Sequence, residues 1–205
     1  MTSDQTTEEK ILEVASRLFH ERGYKATTMR DLAQAVGIKG SSIYNHFLGK
    51  EEILVRISLD GMRAFYEGAV ACVENLEGVE ERLRALIQWQ VHSETDYPYA
   101  ARVSDAHIDA LNPEGRRDLL QLRDAFEQLL TDVLIEGQDQ GRWALSSPRV
   151  ICLGIIGMCK IDAWYKESGS LTVEQIGDIY ASFVLNALLS GGAAHPIPPV
   201  AEISP

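Results

Sequence analysis

Between Lys39 and Lys50 the chain reads Lys39-Gly40-Ser41-Ser42-Ile43-Tyr44-Asn45-His46-Phe47-Leu48-Gly49-Lys50. The polar members of this run are ammonium groups, small hydroxyls, a carboxamide, a phenol and an imidazole. Such groups hydrogen-bond to phosphate oxygens and to the edges of bases, so the chemistry on offer is recognition. Tyr44 has a second, lesser reading as a core aromatic. From Arg22 to Lys50 there are five basic residues against the single acid Asp31, in a chain whose net charge is −11. A basic island in an acidic protein is the electrostatic footprint of a phosphate-binding face.

A second group of residues invites a different chemistry. Lys160 follows the apolar run Val150-Ile151-Cys152-Leu153-Gly154-Ile155-Ile156-Gly157-Met158-Cys159, and Trp164 stands four residues on, on the same face of a continuous helix. A lysine at the inner end of such a helix is costly unless an anion meets it. One reading is an effector pocket in which Lys160 meets a carboxylate, a thioester carbonyl or a phosphate while Trp164 packs on an apolar body. The other is a lysine that snorkels to solvent or pairs with Asp105, Asp109 or Glu167. Arg102 is a second candidate, able to clamp an anion bidentately or to bridge to Asp105 at i, i+3.

Catalytic and metal-binding arrangements are not evident. The sequence has no GxSxG, GxGxxG, P-loop or HExxH. The five histidines are scattered, and only His92, His107 and Asp105 offer a metal site, provided two helices face each other. Three cysteines, Cys72, Cys152 and Cys159, form no CxxC pair and read as reduced, buried hydrophobes of a cytoplasmic protein. No catalytic residue, metal or cofactor is expected, and no apolar run approaches the roughly 20 residues of a membrane span.

The elements that must carry these groups are helices. Strand-like alternation is absent, and 45% apolar residues suffice for a sizeable core. Thr6 and Glu9 form a capping box for a helix to about Arg22, whose apolar positions Ile11, Leu12, Ala15, Leu18 and Phe19 share a face. Thr28 caps a second short helix, with Asp31 in its first turn, and Gly37 turns the chain out of it. A third helix, Lys39–His46, has Ile43 and Phe47 as its inward face. Two short helices about a tight glycine turn describe a helix-turn-helix, whose second member sits in a DNA major groove.

A long helix from Lys50 to about Glu74 leads onward. Helices then follow from Val79 to about Glu94 and from Asp96 to about Asp109. Three more run from Pro113 to about Gln140, from Pro148 to Gly169, and from Thr172 to about Leu189. The first 56 residues hold eight basic and eight acidic side chains, while the remainder holds 11 against 22. The expected organisation is therefore all-α: a DNA-binding domain over 1–50, a helical ligand-binding and dimerisation domain over 51–190, and a disordered tail over 191–205. The last two helices are the most apolar: either both are intramolecular core, or pairing them across a two-fold axis gives a four-helix dimer bundle.

The run Thr27-Thr28-Met29-Arg30-Asp31-Leu32-Ala33, then Gly37-Ile38, Ile43-Tyr44-Asn45-His46-Phe47 and Lys50-Glu51-Glu52-Ile53-Leu54, resembles the TetR-type transcriptional regulators. The resemblance implies a homodimer that places two heads in successive major grooves of a palindromic operator. It further implies that Thr28, Tyr44, His46 and Lys50 hold phosphates, leaving Lys39, Gly40, Ser41, Ser42 and Asn45 for base edges. The chain departs from the pattern at Lys39, where the family often has a serine, and a lysine cannot cap a helix. Y-x-x-A-R-V-x-D, L-N-P-E-x-R and W-Y-x-x-x-G-x-L-T-x-E-Q-I are similar, more loosely, to the branch that senses acyl-CoA thioesters in fatty-acid or steroid catabolism. A repressor released by a small-molecule effector, such as an acyl-CoA thioester, is the implied function. A free hydrophobic or drug-like effector is the alternative, and a helical enzyme acting on a thioester is the rival from another class.

Overall fold

The computed structural model describes residues 6–96, 103–161 and 171–190. Among them are seven α-helices: α1 Thr7–Arg22, α2 Met29–Val36, α3 Lys50–Val73, α4 Val79–Asp96, α5 Pro113–Asp139, α6 Pro148–Met158 and α7 Val173–Ser190. Two single 3₁₀ turns, Ser42–Asn45 and Ile108–Ala110, complete the set, and residues 103–106 are helical. No strand occurs among the described residues, and none of these helices is long and apolar enough to cross a membrane.

Local side-chain chemistry starts the first helices. Thr6 Oγ1 accepts from the Glu9 amide (3.2 Å) while the Glu9 carboxylate accepts from the Thr6 amide (2.8 Å). Thr28 and Asp31 repeat this exchange at the start of α2. Each box satisfies amides that the helix leaves without an internal partner. Gly37, at φ 82° and ψ 27°, ends α2 in the left-handed region. There the Ile38 amide reaches the Ala33 carbonyl (2.9 Å) and the Gly37 amide reaches Gln34 (3.2 Å).

The segment after this turn differs from the expected helix Lys39–His46: a single 3₁₀ turn, Ser42–Asn45, stands in its place. Lys39 has no acceptor to cap a helix, Ser41 makes no capping bond, and Gly40 with two serines has poor helix propensity. Tertiary anchoring holds the turn instead, because Ile43 and Phe47 are both buried.

The fold divides into two compact units, neither of them continuous in sequence. The first combines Met1–Glu67 with Asp96–Asp124, the second Gly68–Thr95 with Ala125–Pro205. In the first, Ile11, Phe19, Leu32, Ile43, Ile53 and Leu54 form a core that also takes in Val103, Leu111 and Leu119. Gly115 of α5 lies so close to Val55 of α3 that a Cβ there would stand 2.9 Å from its methyl carbon. In the second, Leu83, Leu86, Ile87 and Val91 of α4 are buried, as are Leu130 and Leu134 of α5 and Ile176, Ala181 and Leu185 of α7. Trp143 is buried there too, its Nε1 donating to the Leu134 carbonyl (2.8 Å).

The apolar helix α6 is shorter than expected: it ends at Met158, not at Gly169. The Lys160 amide bonds to the Gly157 carbonyl, three residues back, and the Gln90 carboxamide donates to the carbonyl of Ile156 (3.1 Å). A side chain from α4 thus takes up one of the last carbonyls of α6 and stabilises the stop. Nor is α6 covered all round, as a helix apolar on every side would require. Cys152 and Ile155 face the core, while Val150, Leu153, Gly154 and Gly157 are exposed along one stripe. The tail 191–205 lies outside the described residues.

Candidate nucleic-acid interface

The 3₁₀ turn works as a small platform. Its apolar members Ile43 and Phe47 point into the core, and its remaining side chains are left outside. Lys39, Gly40, Ser41, Asn45 and His46 are exposed, and Ser42 is half-buried. Tyr44 is 54% exposed, so its ring is not a core aromatic. Nothing stands within 4 Å of where a Cβ of Gly40 would be, which leaves the backbone there open to a partner.

Thr28 sits at the exposed start of α2, but its hydroxyl is already occupied. It donates to Asp31 Oδ2 at 2.6 Å and accepts from the Asp31 amide at 3.2 Å. Those bonds from the Thr28 hydroxyl and backbone, helped by the Arg22 and Arg30 charges, hold the Asp31 carboxyl below its usual range. A phosphate arriving at Thr28 therefore meets free amide dipoles beside a fixed carboxylate, and the two act in opposite senses.

Lys50, at the start of α3, has a different surrounding from the other candidates. Its ammonium donates to the carbonyls of Tyr24 (2.7 Å), Thr27 (3.1 Å) and Lys25 (3.3 Å). It also stands 4.4 Å from the centroid of the Tyr24 ring. Beside the platform, Leu48 is 87% exposed, and Lys25 and Arg30 are exposed as well. In the sequence the two cations stand out only by their charge, and Leu48 not at all. An apolar residue between two anchors of a helical pattern carries no signal that it will face outward.

Of the residues proposed to meet an effector, Lys160 is exposed and stands beyond the end of α6. Its expected place inside an apolar helix is thus corrected by the early stop at Met158. Arg102 and Trp164 lie outside the described residues. Asp105 is held by Arg123 at 2.5 Å and Asp109 by Arg116 at 3.1 Å. His107 packs its ring against Tyr24 with centroids 5.8 Å apart. Among the described residues no three His, Cys, Asp or Glu side chains gather in a way that could hold a metal ion.

The second unit also contains a half-open cavity of about 320 Å³, whose walls include Cys72, Trp89, His92, Val173, Glu174 and Asp178. Its residues come from three separate helices, so no sequence spacing announces it. Among the described residues neither lysine nor arginine lines it. Burial pushes the Cys72 thiol up to about 11 and that of Cys159 to about 12. Both remain protonated near neutrality and are poor nucleophiles.

An exposed polar turn on a buried anchor, following a capped helix and a glycine turn, defines a helix-turn-helix DNA-binding protein. Comparison with known proteins supplies the family. Residues 11–57 match "Bacterial regulatory proteins, tetR family" and residues 77–188 match "Tetracyclin repressor-like, C-terminal domain". The chain belongs to the TetR family of transcriptional regulators. It is similar to the HTH-type transcriptional repressor KstR2 of Rhodococcus jostii, with 30% identity over 88% of this chain and 90% of that one. Among solved structures, a tetR-family regulatory protein from Rhodococcus RHA1 shares the fold at TM-score 0.83 and 22% identity, covering 90% of this chain and 97% of that one. AibR, solved in complex with isovaleryl coenzyme A and operator DNA, matches at TM-score 0.76 and 28% identity, over 90% and 98% of the two chains.

Proposed function

We propose that this regulator is a homodimeric repressor, acting in the cytoplasm, that leaves a palindromic operator when a small-molecule effector binds. The observation that carries the DNA-binding part is the exposed Lys39–His46 platform, anchored through Ile43 and Phe47 within the basic island. Tyr44 and His46, with Thr28 at the start of α2, hold phosphates and fix the register. Lys39, Gly40, Ser41, Ser42 and Asn45 approach base edges. Dimerisation uses the apolar stripes left uncovered on α6 (Val150, Leu153, Gly154, Gly157) and α7 (Ile179, Phe183). A two-fold dimer suits two half-sites about 34–36 Å apart.

An acyl-CoA thioester is the effector class we favour. AibR was solved with isovaleryl coenzyme A and operator DNA, and KstR2 is described as a ketosteroid regulator. Lys160, with Arg102 and Trp164, is our candidate for meeting it. Release follows if the effector binds more tightly to the form of the dimer that cannot engage both half-sites. A second reading, a free hydrophobic effector, is favoured by the cavity at Trp89, whose described lining offers two carboxylates and neither lysine nor arginine to an anionic headgroup.

One titration separates these readings. A labelled fragment from upstream of the protein's own gene is bound, and anisotropy follows its release by acyl-CoA thioesters, the matching free acids and CoA alone. Release by a thioester but not by its parts, lost in Lys160→Ala, supports the first reading. Release by free acids or neutral hydrophobes, blocked by Trp89→Ala, supports the second. No complex at low salt would overturn the DNA-binding assignment.

A further inference from the structure

We infer that Lys50 is a positioning residue for DNA binding, which acts by clasping the α1–α2 loop and does not itself hold a phosphate. The inference rests on the DNA-binding reading above. A lysine ammonium has three N–H donors, and here three carbonyls, those of Tyr24, Lys25 and Thr27, stand within 3.3 Å to take them. Bonds from a charged donor are the stronger kind. A phosphate at this position would have to draw those protons away from acceptors already in place.

The location explains why the clasp exists. Lys50 opens α3, and the positive end of a helix dipole is an unfavourable place for a cation. Glu51 and Glu52 of the same turn and the three carbonyls offset that cost. The carbonyls themselves belong to residues between Gly23, where α1 stops at φ 86°, and Thr28, the cap of α2. No helix supplies amides to them. The loop is gripped from other sides as well: Thr27 is buried and donates to the Gly23 carbonyl (3.0 Å), and the Tyr24 ring meets Phe19 edge-on at 5.1 Å. Lys50 joins this loop to α3 across 23 to 26 residues of sequence. It thereby sets the angle at which Thr28, α2 and the 3₁₀ turn are presented to a duplex.

The test compares the wild type with Lys50→Met, which keeps the stem and removes the donors, and Lys50→Gln, which keeps an uncharged donor. Affinity for operator and for non-operator DNA is measured across a salt series, well below each variant's unfolding midpoint. Amide exchange of residues 24–28 is followed in the absence of DNA. We expect Lys50→Met to weaken operator binding by about tenfold or more, to lower the operator-to-non-operator ratio, and to speed exchange in the loop. The slope of log affinity against log salt stays at the wild-type value, and Lys50→Gln recovers part of the ratio. A slope reduced by about 0.9, with equal losses on both DNAs and unchanged loop exchange, would mark a direct phosphate contact and overturn the inference. Faster loop exchange with unchanged affinity and ratio would also overturn it, leaving a structural clasp only. If the wild type binds no DNA, the regulator reading fails, and the exchange arm still decides whether Lys50 holds the loop.

Discussion

Replacing Phe183 by alanine tests the dimer directly. Phe183 lies on α7 and is 64% exposed in the single chain, beside Ile179 on the same face. Fully burying a phenylalanine side chain stabilises by about 1.5–3 kcal/mol, so roughly 1–2 kcal/mol remains to be gained per copy. A two-fold axis counts the residue twice, which gives about 2–4 kcal/mol per dimer, or roughly a 30- to 1000-fold weaker dissociation constant in Phe183→Ala. Sedimentation velocity over a dilution series reads that change. Circular dichroism should show unaltered helix content, because Phe183 takes no part in the core formed by Ala181, Val184 and Leu185. Operator binding should become steeply dependent on protein concentration as the dimer falls apart. An unchanged dissociation constant, with operator binding like the wild type's, would refute the assignment of this face.

Three further outcomes are expected. Gly37→Ala should lose about 1–2 kcal/mol in urea unfolding, from the left-handed φ of 82° alone, since nothing stands within 4 Å of the added carbon; an unchanged midpoint would contradict this. Thr28→Ala should raise the Asp31 pKa toward its ordinary value, read from the carboxyl resonance in a pH titration. The carboxyl is depressed in the fold, so its contribution is present above the unfolded pKa and is lost as pH falls through the folded value; Thr28→Ala should therefore show less acid sensitivity than the wild type. Buried Cys159, with its thiol at about 12, should react with a disulfide reagent at neutral pH only after unfolding, and half-buried Cys72, at about 11, should react far more slowly than a free thiol; a fast reaction of the native protein would contradict both.

Much of this molecule was written in short-range patterns. Thr6 with Glu9, Thr28 with Asp31, and Thr172 with Gln175 each exchange bonds across three residues, so the spacing itself announces the helix start. Gly23 and Gly37 end their helices at positive φ because only glycine adopts that backbone freely. Ile43 and Phe47, four apart, mark the inward side of the recognition segment whether it winds as an α-helix or, as found, a 3₁₀ turn.

What only the tertiary structure decided involves partners far away in sequence. The stop of α6 at Met158 is supported by Gln90, 66 residues before the carbonyl it reaches, and that stop carries Lys160 out of the helix to the surface. Val103, Leu111 and Leu119 join the core of Ile11 and Phe19, although α3 and α4 separate them from it in sequence. Lys50 reads in sequence as one more cation of a basic island, yet its three protons face carbonyls that no local pattern places beside it. Spacing along a helix reports which side chains share a face and which amides need a cap. The occupant of a donor, or the element that covers a face, depends on which distant segments the fold brings together.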